Sequence, residues 1–185
     1  MIRAIRNNVL FSFDDEVTTR GEFRETHSTL YVSGSFDKSA KLPRWGTVVA
    51  TGPECKFLRA GDKILISALR WSEGASYKNT KVWKTDEQQL IAYERDGLLT
   101  LVNDFVAFRP IERAQSRINE LIIIETVQPD TATGTIVTSS SDGQHGITYT
   151  GRNFYYDDSL FFDEIVRDGQ VIRFIKIRDI LGLVE

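Results

Sequence analysis

The stretch "RWGTVVATGPECKFLRAGDKILI" (residues 44–66) holds two β-rich runs around a short polar excursion. The first run, Gly46-Thr47-Val48-Val49-Ala50-Thr51-Gly52, is dominated by β-branched and small residues. The second, Ile64-Leu65-Ile66, is launched by the pair Gly61-Asp62. β-branched side chains pack well on a pleated, half-buried surface, and Gly-Asp pairs suit tight turns. Each run is too short for a helix, so the stretch predicts strand, excursion, turn, strand. The same signals recur outward from it. Val9, Phe11 and Phe13 alternate with polar or smaller residues, and short runs rich in Val, Ile, Thr and Phe stand at 121–124, 134–137 and 171–177. No segment carries a sustained 3.6-residue apolar stripe; the best helical candidate, residues 86–95, also reads as a strand. The chain is expected to be all-β.

Composition narrows the function classes. The 185 residues are 41% hydrophobic and 26% charged with a net charge of −3, ordinary for a globular protein. Residues 1–97 carry 15 basic and 13 acidic groups, residues 98–185 carry 8 and 13, and neither half has the excess that binding to a phosphate backbone requires. No apolar run approaches the roughly 20 residues of a membrane-spanning helix, and the first eight residues lack the apolar core of a signal peptide. Cys55 is the only cysteine, and His27 and His145 are the only histidines, so neither a disulfide nor a zinc site is expected. These features predict a cytoplasmic protein without a cofactor.

Between Phe13 and Trp45 the β signals stop. Residues 14–44 open with three acidic residues and continue with Gly21, Gly34 and scattered Ser and Thr. A loop of this length is uncommon inside a compact domain and is usually functional or disordered. Its one apolar island is Leu30-Tyr31-Val32. The bland reading is an edge strand; the functional one is a mobile loop carrying an apolar anchor that orders on binding a partner.

An internal repeat organises the rest. "NNVLFSF" (residues 7–13) resembles "NDFVAF" (103–108), "WGTVVATG" (45–52) resembles "TGTIVTSS" (133–140), and "GLLTLV" (97–102) resembles "DILGLVE" (179–185). Three similarities in the same order point to two copies of one module. The chain therefore divides into residues 1–97, with a mobile loop at 14–44, and residues 98–185, with a shorter loop at 109–133 whose apolar island is Leu121-Ile122-Ile123-Ile124.

The order of these signals resembles the GroES-type co-chaperonin family, the small lid subunits of chaperonins. Its opening strand pattern, I-R-P-L-x-D-R-V, is met by Ile2-Arg3-Ala4-Ile5-Arg6-Asn7-Asn8-Val9. The pattern R-G-x-V-x-A-V-G is met by Trp45-Gly46-Thr47-Val48-Val49-Ala50-Thr51-Gly52, V-G-D-x-V-x-F by Ala60-Gly61-Asp62-Lys63-Ile64-Leu65-Ile66, and the closing S-D-I-L-A-I-V by residues 96–102 and better by 179–185. The second module departs further: it has no Val-Gly-Asp match, and Asn153-Phe154-Tyr155-Tyr156 stands in that place. The excursion at 53–60 is too short for the family's roof hairpin, a paring-down similar to that of viral members. The resemblance implies two tandem GroES-like small β-barrels, each with a long loop after its first strand. It implies a non-enzymatic homo-oligomeric, ring-like lid that caps a GroEL-type chaperonin ring in its ATP- or ADP-bound state and assists protein folding. The anchor would be Leu30, Tyr31 and Val32, with Leu121, Ile122 and Ile123 as a second candidate.

Chemistry is otherwise thin. Asp14 and Asp15, and Asp157 and Asp158, read as solvated loop carboxylates. No phosphate-binding glycine loop occurs, and neither histidine lies in a serine–acid constellation. Two rival readings remain: a small-barrel binder of single-stranded nucleic acid, stacking bases on Phe154, Tyr155, Tyr156, Phe161 and Phe162, and a structural protein of an assembly such as a virion. A chaperonin lid with no catalytic activity of its own is the expectation carried forward.

Overall fold

The computed structural model describes residues 2–17, 23–24, 42–72, 76–77, 80–111, 116–118, 121–123, 131–140, 148–167 and 169–184. The chain forms two compact units, Met1–Asn103 and Asp104–Glu185. Unit 1 contains β1 (Asn8–Phe13), β2 (Glu16–Val17), β3 (Phe23–Arg24), β4 (Arg44–Thr51), β5 (Lys63–Ile66), β6 (Ser76–Tyr77), β7 (Thr80–Lys81), β8 (Trp83–Asp86), β9 (Leu90–Arg95) and β10 (Leu98–Leu101). Unit 2 contains β11 (Phe105–Pro110), β12 (Ser116–Ile118), β13 (Leu121–Ile123), β14 (Thr131–Ser139), β15 (Asn153–Asp157), β16 (Asp163–Arg167), β17 (Gln170–Lys176) and β18 (Ile180–Leu183). Among the described residues the only helices are two 3₁₀ turns, Glu87–Gln89 and Ile177–Asp179. The protein is all-β. The helical candidate at 86–95 resolves into the first of these turns followed by β9.

Each unit is built on one antiparallel six-stranded sheet, ordered β10-β9-β5-β4-β1-β8 in unit 1 and β16-β17-β11-β14-β15-β18 in unit 2. Written from the opposite edge, the second order carries the first unit's central path: β18, β15, β14, β11 and β17 stand where β9, β5, β4, β1 and β8 stand. Details repeat too. The β1–β4 ladder slips register between Leu10 and Phe11, and the β11–β14 ladder slips between Ala107 and Phe108. Such bulges bend a strand and increase its twist, which helps a sheet curl over its own apolar face. No ladder among the described residues joins the outermost strands, so both sheets are open rather than closed barrels.

The cores match position by position. Val9, Phe11, Val48, Ile64 and Ile66 are the centre of one; Val106, Phe108, Ile136, Phe154 and Tyr156 hold the equivalent places in the other. In each unit the large phenylalanine of the first strand packs closely against a glycine of its neighbour. A Cβ on Gly46 would stand 2.7 Å from Phe11 Cδ2, and one on Gly134 would stand 2.6 Å from Phe108 Cδ2.

The three-dimensional repeat corrects the sequence reading at four places. Phe11 matches Phe108, one residue away from the pairing of residues 7 and 103 suggested by the shared asparagine. β18 matches β9, each following a 3₁₀ turn, so residues 179–185 correspond to the region after Asp86 and not to residues 97–102. The Gly-Asp turn does have a counterpart in unit 2. Gly61 N–H donates to Val48 O while Val48 N–H donates to Asp62 O; Gly151 N–H donates to Ile136 O while Ile136 N–H donates to Arg152 O. Both glycines have left-handed backbone (φ 94° and 84°), which the turn requires and glycine alone adopts freely. The signal hid because arginine replaced aspartate. Finally, β10 pairs with β9, so residues 98–101 complete the sheet of unit 1.

Candidate functional site at the root of the long segment

The long polar segment leaves unit 1 after β1 and returns at β4, and its two ends are fastened together. Asp14 N–H donates to Trp45 O at 3.1 Å, extending the β1–β4 ladder one step past Phe13. The Asp14 carboxylate accepts from Thr47 Oγ1 at 2.9 Å and lies 3.6 Å from Lys63 Nζ. Asp15 Oδ2 takes a charge-assisted bond from Arg44 Nη1 at 3.0 Å, and the Arg44 side chain is only 6% exposed. Asp15 is thus a half-buried fastening at the base of the segment, contrary to its reading as a solvated loop carboxylate, while Asp14 is exposed as read and still bonds across the root. Their partners come from a strand some thirty residues further along, a distance at which sequence inspection has no purchase.

A ring cluster sits against this root. The β2–β3 hairpin pairs Val17 with Phe23, and the Phe23 ring packs edge-on against Phe13 (centroids 4.8 Å) and Trp71 (6.0 Å). Phe13 in turn meets Phe11, Trp71 and Trp83. Edge-to-face geometry brings the positive ring edge to a negative face, contributing beyond buried area. The Arg44 guanidinium carbon lies 4.4 Å from the Phe23 centroid, and Lys81 Nζ lies 4.4 Å from that of Trp83.

The excursion 53–62 is held by two further carboxylates. Glu87, 5% exposed, accepts from Lys56 N–H (3.0 and 2.9 Å to its two oxygens) and Phe57 N–H (3.2 Å). Asp62, also 5% exposed, accepts from Arg95 Nε (2.8 Å), Arg95 Nη2 (2.6 Å) and Arg59 N–H (2.7 Å). The hydrogen bonds from the Arg95 guanidinium hold its carboxyl below the ordinary aspartate value, against the opposing effect of burial, with the Arg59 amide adding to the lowering. Burial pushes the Cys55 thiol above its ordinary value, so the thiolate, the reactive form, is disfavoured.

The residues singled out as anchors fall differently. Leu30, Tyr31 and Val32 lie outside the described residues, as do His27 and His145. Leu121, Ile122 and Ile123 form β13, which pairs with Ser116–Ile118 in a two-stranded hairpin separate from the six-stranded sheet. The aromatics of unit 2 do not make a stacking platform. Phe154 and Tyr156 are 0% and 1% exposed in the core around Phe108, and Phe162 packs on the same rings. Only Tyr155 and Phe161 are exposed, the former on a strand and the latter in a loop. Asp157 accepts from Ser159 N–H and Oγ, bonds that lower its carboxyl pKa, and Asp158 pairs with Arg173. Among the described residues no group of three or more His, Cys, Asp or Glu side chains could hold a metal ion, and no helix is long and apolar enough to cross a membrane.

No family model matches the chain, and no curated protein matches it.

Proposed function

We propose that the protein is a co-chaperonin: two GroES-like modules, each a curled sheet acting as a small barrel, that assemble head to tail into a cytoplasmic lid over a GroEL-type chaperonin ring in its ATP cycle. It has no catalysis of its own. The segment that leaves unit 1 carries the chaperonin anchor, Leu30, Tyr31 and Val32, with Leu121, Ile122 and Ile123 as a second contact. Each contact is moderate in affinity, and several engaged together gain overall strength through effective concentration.

The observation that carries this reading is the β9–β10 ladder. β10 immediately precedes the first strand of unit 2 and covers the free edge of β9, the last strand of the repeat in unit 1. Its counterpart before unit 1 is the segment Ile2, Arg3, Ala4 and Ile5, which joins no sheet among the described residues and leaves Ile5 67% exposed. The counterpart of β9 is β18, which pairs on one side only among the described residues, with Leu181 63% exposed. The junction inside the chain is therefore a template for a junction between copies: the segment before β1 of one copy adds to β18 of the next. Such heterologous contacts close into rings when the rotation allows. The template also supplies a register. Leu101 faces Ala92, flanked by the Val102 N–H to Ile91 O bond, which makes 101 and 92 a non-hydrogen-bonded pair with close side chains. The equivalent intermolecular pair is Ala4 and Gly182.

The test uses Ala4→Cys with Gly182→Cys in a Cys55→Ser background. A Cβ at Gly182 meets no atom within 4 Å, so the cysteine is accommodated. Mild oxidation should give closed covalent oligomers, while either single cysteine gives none beyond a dimer. The untreated protein should co-sediment with a GroEL-type ring in the presence of ATP, and Leu30→Ser with Val32→Ser should abolish this without changing the oligomer. A protein that stays monomeric, or that never associates with the ring in any nucleotide state, would sink the proposal.

A further inference from the structure

We infer that Arg44 is a latch that roots the long segment of unit 1 in its sheet, and that unit 1 alone carries such a rooted arm; this deepens the co-chaperonin reading and rests on it for the arm's partner. One guanidinium gathers three points of the chain. It stands on the first residue of the returning strand, pairs with Asp15 on the departing side, and covers the ring of Phe23 in the stem hairpin between them. Phe23 is in turn wedged against Phe13 and Trp71. The stem is two residue pairs long, Glu16 with Arg24 and Val17 with Phe23. A ladder that short has no stability of its own in water. What holds it is the cation, the carboxylate and the rings.

Among the described residues of unit 2 the position of Arg44 carries no equivalent group. Asp14 N–H to Trp45 O in unit 1 corresponds to Ile111 N–H to Thr133 O in unit 2, which puts Ala132 in the place of Arg44. Ala132 is buried, and its methyl group can neither pair with a carboxylate nor cover a ring. At the matching position, then, the strand that returns in unit 2 offers no cation for such a tie. This difference matters for capture of a partner. An arm whose root is fixed delivers its anchor within a small volume, so each further arm in an assembly binds at high effective concentration. A loose root widens that volume and raises the ordering cost on binding. The second segment, with Leu121, Ile122 and Ile123, is thus the weaker contact, and Arg44, Asp15 and Phe23 are positioning residues for the anchor of the first.

Arg44→Met and Asp15→Asn separate a latch from a merely structural pair. Asp15 is 24% exposed and outside the β1–β4 ladder, so its variant should fold even if the buried Met does not. Amide hydrogen exchange on the full chain should show protection at Val17 and Phe23 falling about tenfold or more in each variant, while Phe11 and Val48 in the sheet keep theirs. Co-sedimentation with a GroEL-type ring and ATP should weaken about tenfold in the same variants, whereas Leu121→Ser with Ile123→Ser should weaken it much less. Unaltered exchange at Val17 and Phe23 overturns the latch. Loss of capture in the 121/123 variant equal to that of the Arg44 variant overturns the asymmetry. Should the unaltered protein fail to bind the ring, the co-chaperonin reading falls, and the exchange arm alone still decides whether Arg44 is a latch.

Discussion

Gly134→Ala should be costly for a reason that a second substitution can remove. The added Cβ would lie 2.6 Å from Cδ2 and 3.2 Å from Cε2 of Phe108, and 3.2 Å from Arg109 O. The ring cannot swing aside, because it is fully buried and held by Phe154 at 5.1 Å, Tyr156 at 4.9 Å and Phe162 at 5.7 Å between centroids. Overpacking of this kind costs about 1–3 kcal/mol. The clash is almost wholly with a side chain, so in a Phe108→Leu background the alanine should be nearly neutral, giving a coupling energy of about 1 kcal/mol or more. The equivalent glycine of unit 1 behaves differently. A Cβ on Gly46 meets Phe11 Cδ2 at 2.7 Å but also Ser12 O at 2.8 Å, a backbone atom that no side-chain change withdraws. Gly46→Ala with Phe11→Leu should therefore recover less. Urea unfolding of the full chain measures both cycles: all three tryptophans, Trp45, Trp71 and Trp83, report on unit 1, and exchange at Val106 and Ile136 reports on unit 2. A neutral Gly134→Ala, or a coupling at 134 no larger than at 46, would refute the claim that the ring-on-glycine contact sets these positions.

Glu87→Gln should lower the stability of unit 1 by about 1–3 kcal/mol, because one of the two acceptor oxygens facing the Lys56 and Phe57 amides becomes a donor; tryptophan fluorescence in urea should show the shift while the exchange of Ile136 stays unchanged. Asp62 has a folded-state pKa below its ordinary value of 3.8. Its contribution is complete above that value and is lost as the pH falls through the lowered one, since the unfolded chain takes up the proton first. Stability of unit 1 measured from neutral pH downward should fall in that window, and Arg95→Met should flatten the slope; an unchanged slope would show that the Arg95 hydrogen bonds do not govern the carboxyl.

The fold class was legible because β-branched and aromatic residues at short spacing leave few alternatives to strands. β4, β5, β14 and β17 each stand on runs visible without coordinates. The repeat was legible in outline and misaligned in detail. The asparagines at 7 and 103 attract attention, yet the match that packing enforces is Phe11 with Phe108, each against its glycine. β8, Trp83-Lys84-Thr85-Asp86, was invisible because its sequence is mostly polar. Its place in the sheet comes from pairing with β1 and from burial of Thr85, whose hydroxyl donates to Arg70 O. The root of the long segment was missed for another reason. Asp15 and Arg44 are both ordinary charged residues in a polar stretch, and only the fold brings the carboxylate and the guanidinium to 3.0 Å.

Comparison of the two units separates the features that they share from those that they do not. The strand order, the bulges and the glycine turns are common to both, because each is a condition for curling a short sheet over one core. The polar fastenings are not. Glu87, Asp62 and Arg44 of unit 1 match Ile177, Arg152 and Ala132 of unit 2, so none of the three groups that make these ties stands at the matching position of the second unit. Unit 2 replaces them with rings: Phe154 and Tyr156 where unit 1 has Ile64 and Ile66, packed on Phe108 and joined by Phe162. Aromatic packing stabilises a core wherever it occurs, but a carboxylate on a loop amide or a guanidinium across a loop mouth fixes one loop in one place. A module under pressure only to fold can lose such ties, since they contribute little that apolar burial cannot. These ties lie around both loops of unit 1, and at the root of the long segment strands β1, β2, β3 and β4, the Asp14 and Asp15 carboxylates and the ring cluster meet.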